Sequence, residues 1–362
     1  MSTQSEGLEA RQQHSETAPG RLFLDFTRRL QPSIQRCLKQ HLAAELTRLR
    51  PLGPEAVTAC RALTDVCLRG GKRLRAALVV AGGQCFGRRA DNELLLEMGA
   101  AVEVLHTYFL VHDDWMDGDL KRRGGPSAHA QLRKTYGQSK GDAAAVLAGD
   151  WGATIANDWM TQMHIAPRSL AHVLGAFAAM QRAALGGQMR DVLAQDKRIE
   201  LTYRLKTASY TVEGPLVLGA LVSGASSQQL ETLRRFSLPT GVAFQLRDDL
   251  ISLFGSSKQT GKPFGSDLRA GKRTVVALHA LAAATGTERR TIENAFGNPK
   301  ATVSDLRAAV ASIDRVGSRL HVERRIARLT ADACRALQQP WISESARALL
   351  TSSAFALAMR SH

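Results

Sequence analysis

"LEMGAAVEVLHTYFLVHDDWMDGDLKRRGG", residues 96–125, is the stretch that decides the fold. Its first half is apolar with helical spacing, and its second half gathers Asp113, Asp114 and Asp117 before the basic run Lys121, Arg122 and Arg123. On a helix Asp113 and Asp117 lie one turn apart on one face, with Asp114 beside them. Three like charges repel one another, and the C-terminal end of a helix already carries negative partial charge. Something positive has to compensate. A divalent cation would do so, and so would Arg122 and Arg123. All-oxygen ligands suit Mg²⁺, which keeps water and takes phosphate oxygens as its other ligands. The plain alternative is a solvated helix end.

The same helical spacing continues in both directions. "LFLDFTRRLQPSIQRCLKQHLAAELTRL" (22–49) has apolar residues three and four apart despite Pro32, and "PEAVTACRALTDVCLR" (54–69) opens on a proline suited to a first turn. Further helices are expected over 73–86, 91–116, 141–163, 168–195, 199–223 and 227–254. A glycine-bearing loop (255–271) precedes several more helices over 272–359. No segment shows sustained strand alternation, and no repeat or long linker interrupts the pattern. The expectation is one all-α domain over 21–362, preceded by a disordered segment at 1–20.

The 362 residues are 44% hydrophobic, enough for a sizeable core, but only 5% aromatic. The net charge of +15 points to an anionic partner. Nucleic acid is disfavoured, because the arginines are scattered along helices rather than interleaved with aromatics in a stripe. The five cysteines (Cys37, Cys60, Cys67, Cys85, Cys334) form no CxxC pair and are odd in number, which suits a reducing compartment such as the cytoplasm. The polar N-terminus lacks a signal-peptide core. No apolar run approaches the roughly 20 residues of a membrane span.

A second acidic helix follows in "FQLRDDLISLFG" (244–255). Gln245, Asp248, Asp249 and Ser252 fall at helical offsets 0, 3, 4 and 7, so they line one face. Facing the first cluster, it would complete a metal cage able to draw charge off a diphosphate leaving group. Fixed cations are available in "GGKRLR" (70–75), with Lys72 and Arg75 at a helix start. Others are Lys206 beside Thr207 in "LKTASY" (205–210), and Lys262 and Lys272 in "GKPFGSDLRAGKRT" (261–274).

Taken in order, "GGKRLR", "LHTYFLVHDDWMDGDLKRRGGPSAH", "GGQMRDV", "KTASYTVEGP", "FQLRDDLISLFG" and "GKPFGSDLRAGKRT" resemble the trans-isoprenyl diphosphate synthases, or polyprenyl synthetases, over nearly the whole chain from about residue 22. The resemblance implies an all-α isoprenoid synthase fold of roughly a dozen helices around a central cavity, and a homodimer. It implies a Mg²⁺-dependent prenyltransferase with three ions per active site. An allylic diphosphate (dimethylallyl, geranyl or farnesyl) ionises, isopentenyl diphosphate attacks the cation, and a proton is lost. Asp113, Asp114, Asp117, Asp248 and Asp249 are similar to the metal-binding aspartates of that family, with Asp113, Asp117 and Asp248 as the direct ligands, Asp114 in support and Asp249 close by. Arg122, Lys206, Lys262 and Lys272 resemble its allylic-diphosphate cations. Lys72, Arg75, His106 and Arg123 resemble its isopentenyl diphosphate pocket. Thr207 and Gln245 resemble the polar groups that face the developing cation. His112, next to Asp113, reads as support for the cluster or as a structural residue.

Two departures stand out. Ser252 occupies the position of a third aspartate, and Ala76 follows "GGKRLR" where proline is common. "DDLIS" also resembles the start of a terpene-cyclase metal motif, but Ser256 stands where that motif needs glutamate. A cyclase therefore ranks below a synthase, as does an inactive regulatory subunit, since the first aspartate cluster is complete.

Product length is read from the helix bearing that cluster. Each residue rises about 1.5 Å, so Phe109 and Tyr108 lie roughly 6 and 7.5 Å below Asp113. Two adjacent rings there can form a floor, the plain alternative being ordinary core aromatics. Aromatics at these positions resemble the pattern of the family's short-chain members, and the resemblance implies farnesyl diphosphate (C15) as product, ahead of geranylgeranyl diphosphate (C20) and C10.

Overall fold

The structure is a computed structural model that describes residues 19–86, 91–193, 198–255 and 263–360. The expectation of disorder over 1–20 falls almost wholly outside these residues. The chain divides into two compact units. One comprises Met1–Phe26, Ala183–Ser209 and Glu231–His362, the other Thr27–Arg182 and Tyr210–Leu230.

The chain enters through α1 (Arg21–Arg48), which contains Pro32, and a short 3₁₀ turn at Arg50–Leu52. In the second unit follow α2 (Pro54–Leu68), α3 (Leu74–Gln84) and α4 (Asn92–Asp117). A two-stranded antiparallel hairpin, β1 (Lys121–Arg122) and β2 (Gly125–Pro126), comes next, and then α5 (Ala128–Tyr136) and α6 (Gln138–Thr161). α7 (Pro167–Leu193) leads out of this unit. A later segment, α9 (Gly214–Val222), returns to pack on α3. That crossing is close. A Cβ at Gly219 would meet the carbonyl oxygen of Val79 at 1.9 Å, and one at Gly82 would meet that of Leu216 at 2.2 Å, so the backbones touch only because both positions are glycine.

α4 is the centre of this unit and packs on α3 and α6. Asp91 caps its first turn by accepting from the Glu93 N–H at 2.9 Å. Its last turn closes on Gly118 in the left-handed region, with the Asp119 N–H donating to the Asp114 carbonyl at 2.8 Å. Among the described residues α4 alone has the length and composition of a membrane span, which corrects the expectation that no run is long enough. Most of that span, 72%, is buried inside the protein, as in a core helix.

The first unit contains α8 (Ile199–Tyr203), α10 (Ser227–Phe254, with Pro239 inside it), the single-turn α11 (Ser266–Arg269), α12 (Val275–Ala283), α13 (Gly286–Ala295), α14 (Val303–Arg315), α15 (Ser318–Ala336) and α16 (Glu344–Ala358). Leu246, Leu250, Ile292, Leu306, Ile313 and Val322 form its buried core. α14 starts on a full capping box between Thr302 and Asp305.

The expected helix over 199–223 is broken. Between α8 and α9 the chain winds as a π-helix over Arg204–Glu213. Its end coincides with Pro215, which has no N–H to give a preceding carbonyl. The hairpin and α5 also escape the helical reading, because strands of two residues leave no alternation to detect. The all-α expectation otherwise holds, and all five cysteines are free thiols.

Candidate active site

One face of α4 carries His106, Phe109, Asp113 and Asp117, at spacings of three, four and four residues. Asp113 is half-buried and Asp117 exposed. Asp114 points elsewhere. It is 1% exposed and takes Arg122 in a forked ion pair, with Arg122 Nε 2.8 and 3.1 Å from its two oxygens and Nη2 also in contact. Burial pushes the Asp114 carboxyl up, and the guanidinium pulls it back.

Arg122 reaches Asp114 because the hairpin presents it. The two-residue turn places Arg123 at φ 50° and Gly124 at φ 76°, the two positive angles of a type I′ turn, whose twist matches the strands. Arg69 braces the hairpin by donating to the carbonyls of Arg122 (3.1 Å) and Pro126 (2.6 Å). For arginine the left-handed region costs about 1 kcal/mol or more, and here it turns the Arg123 side chain inward. Arg123 Nη1 donates to Val66 O at 3.3 Å, and its guanidinium lies against Gly71. Gly71, at φ 124°, holds a backbone conformation that residues with a side chain rarely adopt.

Around His106 the second unit builds a basic pocket. His106 and Arg75 are buried, and the Arg75 guanidinium donates to Thr211 Oγ1 at 2.8 Å and lies 4.6 Å over the Tyr210 ring. Burial, then Arg75, Arg123, Arg122 and Arg73, hold the imidazole well below its ordinary value, so it is neutral. His106 Nδ1 and Arg75 Nε are buried without a hydrogen-bond partner. Buried polar atoms left unmatched are costly, and an anionic ligand would satisfy both. Lys72 is exposed at the rim of the same segment.

Sequence reasoning missed what holds this pocket. Arg73 has φ 52° and a fully buried side chain, which pairs with Glu103 at 3.2 Å and donates to Gln35 Oε1 and the Cys67 carbonyl, both at 2.7 Å. The available signal was Glu103 itself, an acid in the middle of an apolar helix.

The first unit contains the second cluster. Asp248 is half-buried and paired with Arg360, whose guanidinium also covers the Phe244 ring at 4.2 Å. Asp249 is sealed in a chain of hydrogen bonds: Thr207 Oγ1 donates to Gln245 Oε1 (2.7 Å), Gln245 Nε2 donates to Asp249 Oδ1 (3.0 Å), and the Tyr203 hydroxyl donates to Asp249 Oδ2 while accepting from the Val275 N–H (3.1 Å). Ser252 donates to Asp267, so a carboxylate from α11 stands against the serine that replaces the third aspartate. Lys206 holds Asp191 at 2.5 Å and Lys272 lies 3.9 Å from Asp267. Lys262 lies outside the described residues.

Burial pushes Asp249 up to about 7, against the pull of Tyr203 and Gln245. Between about pH 4 and 7 the native state therefore keeps a proton that the unfolded chain has lost, so stability falls as pH rises through that window and levels off above it. Asp249→Asn should flatten this slope. Melting temperatures measured at intervals from pH 4 to 7 check it, and identical slopes in both proteins would place the proton elsewhere.

The donor set fits Mg²⁺ in part. In the second unit Asp113 and Asp117 offer hard oxygens one turn apart; in the first unit Asp248 offers a carboxylate on α10 that is paired with Arg360. Asp114 and Asp249 are committed to Arg122 and to the Tyr203–Gln245 chain. Among the described residues no three His, Cys, Asp or Glu side chains converge on a metal-sized site. Mg²⁺ binds through one or two carboxylates plus waters and substrate phosphates, and Asp113 and Asp117 are two carboxylates on one face of α4.

The polyprenyl synthetase family model matches residues 57–313. The chain is 32% identical over 266 residues to a geranylfarnesyl diphosphate synthase of Aeropyrum pernix (71% of this chain, 79% of the relative). It is 32% identical over 285 residues to the farnesyl diphosphate synthase of Escherichia coli K12 (75% and 90%). The crystal structure of a geranylgeranyl pyrophosphate synthase from Corynebacterium glutamicum, complexed with isoprenyl diphosphate and magnesium, superposes with a TM-score of 0.86 at 29% identity, covering 93% of this chain and 99% of the other.

Proposed function

Because the chain belongs to the polyprenyl synthetase family, and is thus a short-chain trans-prenyl diphosphate synthase, we propose that it condenses isopentenyl diphosphate with allylic diphosphates and stops at C15. The observation that supports this is the single face of α4, where an anion-binding histidine, an aromatic wall and two carboxylates follow one another at helical spacing. Residues 21–362 carry this one activity, as a homodimer. The cytoplasm is its compartment, in keeping with the free thiols.

Arg75, His106, Arg123 and Lys72 bind the diphosphate of isopentenyl diphosphate. The unmatched Arg75 Nε and His106 Nδ1 supply its buried hydrogen bonds. Asp113, Asp117 and Asp248 would hold Mg²⁺, three ions with substrate bound, and the metal would supply the positive charge that favours the diphosphate as leaving group. Arg122, Lys206, Lys262 and Lys272 bind the allylic diphosphate, and these fixed cations stabilise the negative charge that grows as the carbon–oxygen bond breaks. Asp114 orients Arg122, and Asp249 orients Gln245 and through it Thr207, so that two polar oxygens are held toward the cation. The apolar face of α4 keeps water from it.

The named relatives make different products, so chain length rests on the floor. Tyr108 is 8% exposed and its ring lies 4.7 Å from that of Phe109 and 4.8 Å from His112. Pure protein incubated with Mg²⁺, isopentenyl diphosphate and each allylic substrate should yield C15 by mass spectrometry. Phe109→Ala should shift the main product to C20 or beyond. An unchanged product spectrum would put the floor on other residues, and a hydrocarbon or alcohol in place of a diphosphate would indicate cyclase chemistry.

A further inference from the structure

We propose that Tyr210 is a specificity-determining residue that joins the isopentenyl diphosphate pocket to the chain-length floor. The proposal rests on the synthase reading above and concerns one ring that the sequence motifs leave without a role. Tyr210 belongs to the second unit, with Arg75, His106 and Phe109. Its ring touches all three. The Arg75 guanidinium carbon lies 4.6 Å from the ring centroid, and the His106 and Phe109 rings lie at 6.0 and 4.9 Å. The next residue, Thr211, is fully buried and accepts from Arg75 at 2.8 Å. Consecutive side chains thus hold one guanidinium, by a ring face and by a hydroxyl, and leave Arg75 Nε for a ligand.

Two consequences follow from one contact set. The ring face fixes Arg75, a buried cation, and burial strengthens a cation–π contact. The ring also extends the Tyr108–Phe109 wall by a third aromatic, so it limits hydrocarbon growth beside Phe109. A residue that only supported the fold would not couple a diphosphate affinity to a product length.

The test is Tyr210→Leu, with Tyr210→Phe as the ring-preserving control. Isopentenyl diphosphate is titrated calorimetrically onto each protein without allylic substrate. Products and KM values are then measured with geranyl diphosphate. Tyr210→Leu should weaken isopentenyl diphosphate binding about tenfold, leave the allylic KM within about twofold of wild type, and lengthen the product by at least one C5 unit. Tyr210→Phe should match wild type in all three. Wild-type affinity together with a wild-type product spectrum in Tyr210→Leu would overturn the proposal. So would a phenylalanine variant as impaired as the leucine one, which would assign the effect to the hydroxyl. If Tyr210→Leu folds poorly, Tyr210→Met, flexible and of similar volume, takes its place with the same expected outcomes. A wild-type protein that binds isopentenyl diphosphate but extends nothing would refute the assigned reaction, and the calorimetric comparison would still decide the role of Tyr210 at Arg75.

Discussion

Replacing Asp113 with alanine is expected to lower kcat about a thousandfold with the fold intact. Ionising an allylic diphosphate separates a carbocation from a leaving group that carries several negative charges. A ligand that places Mg²⁺ on that group acts mainly in the transition state, so its loss appears in kcat more than in substrate binding. Stability should not suffer. Asp113 is half-buried near the C-terminal end of α4, where negative charge opposes the helix dipole. Unfolding curves should therefore match or slightly exceed wild type. Excess Mg²⁺ should recover part of the rate, because Asp117 remains. A loss of less than about tenfold, below what a single electrostatic contact typically contributes, would mean that Asp113 is not a metal ligand.

Glu103→Ala should act in the opposite way, through stability. The Arg73–Glu103 pair has side chains 0% and 3% exposed, and the other Arg73 partners, Gln35 and the Cys67 carbonyl, are uncharged. Removing the carboxylate leaves a buried guanidinium without a counter-charge, at a cost of about 3–5 kcal/mol. The loop bearing Lys72 and the start of α3 should loosen with it. Denaturant titration measures the loss directly. The double variant Arg73→Met/Glu103→Leu should recover most of the stability, since a buried pair can give way to apolar residues of similar size at little cost. A single variant within about 1 kcal/mol of wild type would show that water or a second carboxylate reaches Arg73.

What the sequence made legible was local. The helices, both aspartate clusters and the basic residues lie within motifs a few turns long, where periodicity and charge spacing say which groups share a face. What escaped were partners distant in sequence. Nothing in "GGKRLR" shows that Arg73 meets Glu103 thirty residues later, or that Thr207 and Gln245 are tied through Asp249 to Tyr203. Asp267 lies in the stretch that reads as a glycine-bearing loop, and nothing in its spacing shows that it faces Ser252. Asp114 and Asp249 read as metal ligands beside their neighbours because spacing does not report which carboxylate is buried. The hairpin left only a faint trace, the Gly124–Gly125 pair after two arginines.

The π-helical segment at Arg204–Glu213 has a consequence for how the chain can change. A π turn holds one more residue than an α turn. Deleting one residue within Arg204–Glu213 would let the stretch relax toward α geometry while the helical residues that flank it keep their phase, because the wide turn is what absorbs the extra residue. The change would fall on the side chains inside the turn, Lys206 and Tyr210 among them. A residue lost inside α4 has no such outlet, and would turn all that follows by about 100°.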